Sequence, residues 1–228
     1  KFPRGTVVHC GDRLSATKYI IEHGADPARM VVHSVTAGDY DIAMAGDYSI
    51  ATSGYKSTAM VGKYGTATVG SYGTAMAGDR GIATAKDRGA ATAGYGGVAT
   101  ADDWGVATAG RCGTAKAGRY GTATAGPYGT AVVGDEGIAM AGKYGTAAAG
   151  YGGTVVVHYL DEDTGRMRLA VGYVGESGIE ANRAYRVKYG KLVLADEEES
   201  ELANIVDDYL EILGGGDPFK DRPKRGAH

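Results

Sequence analysis

One grouping in the chain sets a nucleophile beside a base: His9-Cys10-Gly11-Asp12, with His33 further along. A thiol next to an imidazole can be activated as a thiolate, the first requirement for acyl transfer or hydrolysis through a covalent intermediate. The commoner arrangement is a buried cysteine with an exposed histidine in an end cap, and no catalytic role is assigned to it. A second stretch, G137-I-A-M-A-G142-K143, has the outline of a phosphate-binding loop. Tyr144 stands where a Ser or Thr would hold magnesium, and the glycine spacing follows from a period that runs through the whole region. Six aspartates (Asp39, Asp47, Asp79, Asp87, Asp103, Asp135) occupy one recurring slot, as ligands in calcium-binding solenoids do. Those repeats need G-G-x-G-x-D spacing, whereas this slot also takes Lys, Arg, Pro and Tyr. His158 is isolated, and no Ser/His/Asp or metal-ligand spacing occurs. The expectation is a protein that is not an enzyme, with no cofactor and no metal.

The elements that would position any site come from the period itself. From Gly38 to Val157 the chain divides without a gap into fifteen octads. Position 1 is Gly, with Lys86 and Asp102 as exceptions; position 4 is Gly from Gly65 to Gly153, after Asp41, Ser49 and Ser57. Position 6 is Ala until Val155, and position 8 is Ala or Val apart from Ser53. A fixed short period indicates a solenoid, in which each unit buries its face against its neighbours. Positions 5 to 8 alternate as a short strand does, and the G-x-Y-G segment reads as a turn in which glycine supplies positive φ. Position 7 admits Lys116, so positions 5 and 7 are expected to face out and the small residues at 6 and 8 to face in.

Position 7 also carries a second period. Met44, Met60 and Met76 lie sixteen apart, with Met140 in the same series, and Thr52, Thr68, Thr84 and Thr100 form the interleaved series. Two octads therefore close one coil, giving seven and a half parallel coils with two distinct faces, a rod of roughly 36 Å at ~4.8 Å per coil. Position 3 should stack as ladders, Tyr40/Tyr72/Trp104/Tyr120 along one corner and Tyr48/Tyr64 with Tyr128/Tyr144 along the other. The fold class is all-β: a parallel β-solenoid with small α/β caps and a C-terminal helix.

The ends divide accordingly. Residues 1–37 read as an N-terminal α/β cap, with a helix from Ser15 to His23 and a strand over Val31–Val35 leading into the 38–157 solenoid. Residues 158–195 read as a C-terminal β cap, in which Asp161–Gly165 turns the chain and Met167, Leu169, Val171 and Tyr173 alternate along a strand. Residues 196–213 carry eight acids and no Lys or Arg, with Leu202, Ile205, Val206, Tyr209, Leu210 and Leu213 on one face of a helix; 214–228 is a tail.

Net charge is −3, and the repeat region balances nine acids against nine bases, which excludes the one-sided basic surface of a nucleic-acid binder. Cys10 and Cys112 are too few for a disulfide framework. No secretory signal is visible and no apolar run approaches the ~20 residues of a membrane span, so a cytoplasmic location is the default expectation.

The octads G94-Y-G-G-V-A-T-A101 and G118-R-Y-G-T-A-T-A125 resemble the octapeptide of bacterial ice nucleation proteins, A-G-Y-G-S-T-x-T. The likeness covers Gly38 to Val157 and includes the sixteen-residue superperiod. It implies a β-solenoid whose Thr rows order water, and it carries over to Thr66/Thr68 and Thr122/Thr124. Position 6 departs from the family in being Ala, as do Ile50, Ile82 and Val98 at position 5. The segment Gly172–Val187 looks like end pieces of bacterial or phage repeat proteins.

Two functions are therefore expected. The first is a structural or protein-binding scaffold that forms a homodimer or docks a partner through Ile42, Met44, Thr58, Met60, Thr74, Met76, Val106, Ile138 and Met140. The alternative is binding of ice or ordered water through Thr52, Thr66, Thr68, Thr84 and Thr100.

Overall fold

The structure is a computed structural model that describes residues 34–195. The Cys10 grouping, His33, the N-terminal helix, the acidic segment 196–213 and the tail lie outside the described residues.

Strands recur every eight residues, beginning with β1 (Ser34–Thr36), β2 (Ile42–Met44) and β3 (Ile50–Ser53) and reaching β15 (Thr146–Ala148) and β16 (Thr154–Asp161). Odd and even strands separate into two sheets, each stacked in parallel at an offset of sixteen residues, as in Ile50↔Thr66 and Thr58↔Thr74. The expected sixteen-residue coil is the observed one. Ser34–Thr36 pairs with Ile50–Thr52, so the stack has eight turns rather than seven and a half, the residues before Gly38 supplying one more half-coil.

The interior is as thin as the small residues demand. All fourteen alanines at position 6, from Ala43 to Ala147, are no more than 1% exposed, and Val155 closes the series fully buried. Position 8 lines the same interior, with Val69 and Val157 among its largest fully buried side chains. Positions 5 and 7 face out on both sheets, as the alternation requires.

The turns are built differently from the glycine reading. Positive φ falls on position 3 in all fifteen octads: thirteen times on a side chain such as Tyr64 (56°) or Trp104 (59°), and on glycine only at Gly96 and Gly152. The flanking glycines serve close approach instead. A Cβ on Gly81, at position 4, would lie 2.8 Å from the Cβ of Ala77 and 3.0 Å from the Gly65 carbonyl oxygen one coil below. The left-handed conformation costs a non-glycine residue about 1–2 kcal/mol, and regular bonding between coils offsets it. The N–H of position 3 donates to the carbonyl of position 2 in the next coil, as Tyr64 does to Asp79 (2.9 Å) and Tyr120 to Asp135 (2.9 Å). The corners are thus hydrogen-bonded ladders like the sheets.

At the C-terminal end β16 runs on beyond the octad and returns as β17 (Arg166–Tyr173), antiparallel to it, which completes a nine-stranded sheet. The other sheet is completed to ten strands by β18 (Ala184–Lys188) and β19 (Lys191–Leu194), both antiparallel. Buried Tyr185 ties the cap together, its hydroxyl oxygen accepting the Glu180 N–H at 2.7 Å. Among the described residues no helix is long and apolar enough to cross a membrane.

Candidate interaction faces

Every residue expected at the Met/Ile face lies on the outer side of the nine-stranded sheet. Met44, Met60 and Met76 pair in register, and Met140 resumes the row after Thr92, Thr108 and Thr124. Ile42 and Met44 are over 60% exposed, and Met76, Val106 and Ile138 are also open to solvent. Thr58 and Thr74 sit beside the methionines, half-buried. None of the outward positions of the octads on this sheet carries a charge.

The threonines of the alternative site lie on the ten-stranded sheet. Thr52, Thr68, Thr84 and Thr100 stack in register, Thr36 extends the row to five, and Lys116 ends it. Thr66 belongs to the neighbouring row at position 5, between Ile50 and Ile82. The face is therefore mixed, with aliphatic side chains beside hydroxyls.

One apolar strip was not anticipated as a surface. Met167, Leu169, Val171 and Tyr173 of β17 are each about half exposed. The alternation was legible, but its direction is set by the opposite side of the hairpin, where Ala170 and Gly172 are covered. A Cβ on Gly172 would come within 2.7 Å of Leu192 Cδ1 in β19, so the small residues must turn inward and the large ones outward. Val171 pairs with Val156 and Tyr173 with Thr154, which joins this strip to the Met/Ile face.

The corners hold most of the polar side chains. On one, cations interleave the expected aromatic ladder: Lys56 Nζ lies within 6 Å of the Tyr40, Tyr55 and Tyr72 rings, and Arg88 bonds the Tyr72 hydroxyl. Trp104 and Tyr120 stack at 4.3 Å. On the other, Tyr48 and Tyr64 stack at 5.0 Å, and Tyr128 and Tyr144 at 5.1 Å. The recurring aspartates act as caps between coils. Oδ1 of Asp39, Asp47, Asp79, Asp103 and Asp135 accepts the N–H of the residue sixteen further on, at 2.7–3.0 Å. This arrangement requires glycine at position 1 of the next coil: a Cβ on Gly118 would fall 2.4 Å from Asp103 Oδ1. Asp87 faces Asp102 instead of a glycine and makes no such bond; Asp102 pairs with Lys86 (3.3 Å), so the two exceptions at position 1 are stacked partners.

Arg119 donates from Nε and Nη2 to Asp103 Oδ2, at 3.1 and 2.8 Å, which holds that carboxyl below its ordinary value and raises the guanidinium. Tyr120 donates its hydroxyl proton to Glu136 at 3.1 Å, and that bond raises the phenol. Ile138–Ala141, inside the phosphate-loop-like stretch, is strand β14, with Lys143 lying over the Tyr144 ring; no loop is there to wrap a phosphate. An open cleft of about 540 Å³ between the hairpin tips holds His158, Tyr159, Asp161 and Tyr189. Glu162 and Asp163 line it as well; His158 Nδ1 is engaged with the Ala141 carbonyl (3.1 Å) and Asp161 with Arg168 (2.5 Å).

Fold and repeat together define a parallel β-solenoid whose outward surface is two flat faces joined by aromatic and charged corners. No family model, no curated protein and no solved structure matches the chain.

Proposed function

We propose that the protein is a non-enzymatic scaffold that associates with a second copy of itself through the outer face of the nine-stranded sheet. The observation that carries this reading is the in-register row Met44–Met60–Met76, continued by Met140, on a face whose octads present no charged side chain. An uncharged, apolar strip on a flat sheet is an unfavourable surface to leave in water, and methionine adapts to a like surface. Light scattering across a concentration series tests it: the protein runs as a dimer, and Met60→Lys runs as a monomer that keeps its fold. A parent that stays monomeric at the highest soluble concentration overturns the proposal.

A second reading rests on the ten-stranded sheet, where five threonines stand in one row from Thr36 to Thr100. Rigidly spaced hydroxyls and methyls of that kind suit ordered water, in line with the octapeptide resemblance. Thermal hysteresis or a raised freezing temperature supports it, and the absence of both, with no shaping of ice crystals at high concentration, sinks it.

A further inference from the structure

The nine-stranded sheet has an internal symmetry that the repeat itself does not require. Along its position-7 row, three apolar residues (Met44, Met60, Met76) are followed by three threonines (Thr92, Thr108, Thr124), then by three more apolar residues, Met140, Val156 and Val171. The ninth member comes from the cap, not from an octad, because Val171 lies on β17. The middle member, Thr108, lies on β10 (Val106–Ala109), the fifth of the nine strands. The neighbouring row follows this order only in part, since Thr74 stands across from Ile138 and Ala90 across from Thr122. Val106 is central, Thr58 and Thr154 stand at equal distances from it, and Ile42 and Tyr173 are its two ends.

We infer that two copies pack these faces against each other antiparallel, about a two-fold axis that runs along β10. This rests on the self-association proposed above and adds its order. An axis along the strand direction keeps each row opposite itself and reverses the strand sequence. Met44 then meets Val171, Met76 meets Met140, Thr92 meets Thr124, and Thr108 meets its own copy. Along the position-7 row apolar meets apolar and hydroxyl meets hydroxyl at every step. Met60 falls opposite Val156, which at 7% exposure is the most recessed of the row. Size favours this register over any shorter one. Nine strands about 4.8 Å apart and ~13 Å wide bury on the order of 500 Å² per copy, roughly 1,000 Å² in all, which is the floor for a specific interface. The same operation on the other sheet would set Lys116 among threonines, and that row has no symmetric order.

The test is cross-linking in a Cys10→Ser/Cys112→Ser background, with a thiol reagent too short to span four strands, ~19 Å. Thr108→Cys alone gives covalent dimer. Met76→Cys alone gives none, but mixing it with Met140→Cys does. Light scattering and circular dichroism on each variant confirm that it is folded and still dimeric. Val171→Lys and Met44→Glu each raise the dimer Kd more than tenfold, and a mixture of the two recovers at least part of that loss. Cross-linking of Met76→Cys to itself, with none at Thr108→Cys, overturns the antiparallel order while leaving self-association standing. A parent with no dimer removes both.

Discussion

The two sheets share one interior and differ in what they show to solvent. Inside, alanine meets the same thin space from either side, and the fourteen position-6 alanines are equally buried whichever sheet they serve. Outside, one sheet carries methionines and isoleucines without charge, while the other carries a threonine row that ends at Lys116. The ends differ as well. The apolar face continues onto β17, whereas the threonine-bearing sheet ends in β18 and β19. The interior is therefore a constant set by packing, and the outward pair of each octad is the variable through which one backbone carries two surfaces.

The largest effect should come from breaking what the sheets have in common. Ala99→Leu on one sheet and Ala107→Leu on the other each destabilise the fold by about 1–3 kcal/mol in urea unfolding, since neither buried site can accept added volume. Equal losses confirm a shared interior; a loss on one sheet alone would show that the two halves are not packed alike.

The next effect separates the faces. Met60→Lys weakens self-association by at least ~1.4 kcal/mol, a tenfold rise in Kd, while Thr68→Lys, half-buried on the opposite sheet, leaves it unchanged. Analytical ultracentrifugation reads both, and equal sensitivity would mean that the threonine face takes part.

A smaller effect sharpens the contrast between corner positions that hold a ladder partner and those that do not. Cys112 has φ of 57° and an exposed thiol. Relief of about 1–2 kcal/mol of left-handed strain, less the ~0.5–1 kcal/mol entropic cost of glycine, predicts that Cys112→Gly stabilises by about 0.5 kcal/mol. Tyr128→Gly, which also loses the stack on Tyr144, gains less or becomes destabilising. Thermal midpoints of the two variants decide this.

The smallest effect is the pH response of the Asp103–Arg119 pair, in which Arg119 is exposed and Asp103 half-buried at the surface. The folded carboxyl lies below its ordinary value of 3.8, so its contribution is complete above that value and is lost as pH falls through the lowered one. Asp103→Asn removes this part of the acid dependence of the thermal midpoint. An unchanged acid limb in the variant would show that the pair contributes nothing to it. Tyr120 has the opposite sense: its phenol is raised, and its contribution fades only in base, as pH climbs past the ordinary tyrosine range.

Much of this was legible in the residues. Position 6 scarcely varies, so it had to face in; position 7 admits Lys116, so it had to face out; the sixteen-residue series of Met and Thr gave the coil. The turn was misread because G-x-Y-G places glycine at both ends of the turn, and the sequence does not say whether a glycine is there for its φ or for lack of a Cβ. The aspartates drew attention as ligands, yet their partner is a backbone N–H sixteen residues away, a bond that exists only once coils are stacked.

By itself the sequence determined the period, the two-sheet solenoid and the inward set, because a repeated steric constraint is written at every turn. The tertiary structure decided which residue carries positive φ, why Asp102 and Lys86 depart together from glycine, and which way Met167, Leu169, Val171 and Tyr173 point. Each of these depends on atoms in a neighbouring coil or a capping strand, a proximity that no local pattern encodes.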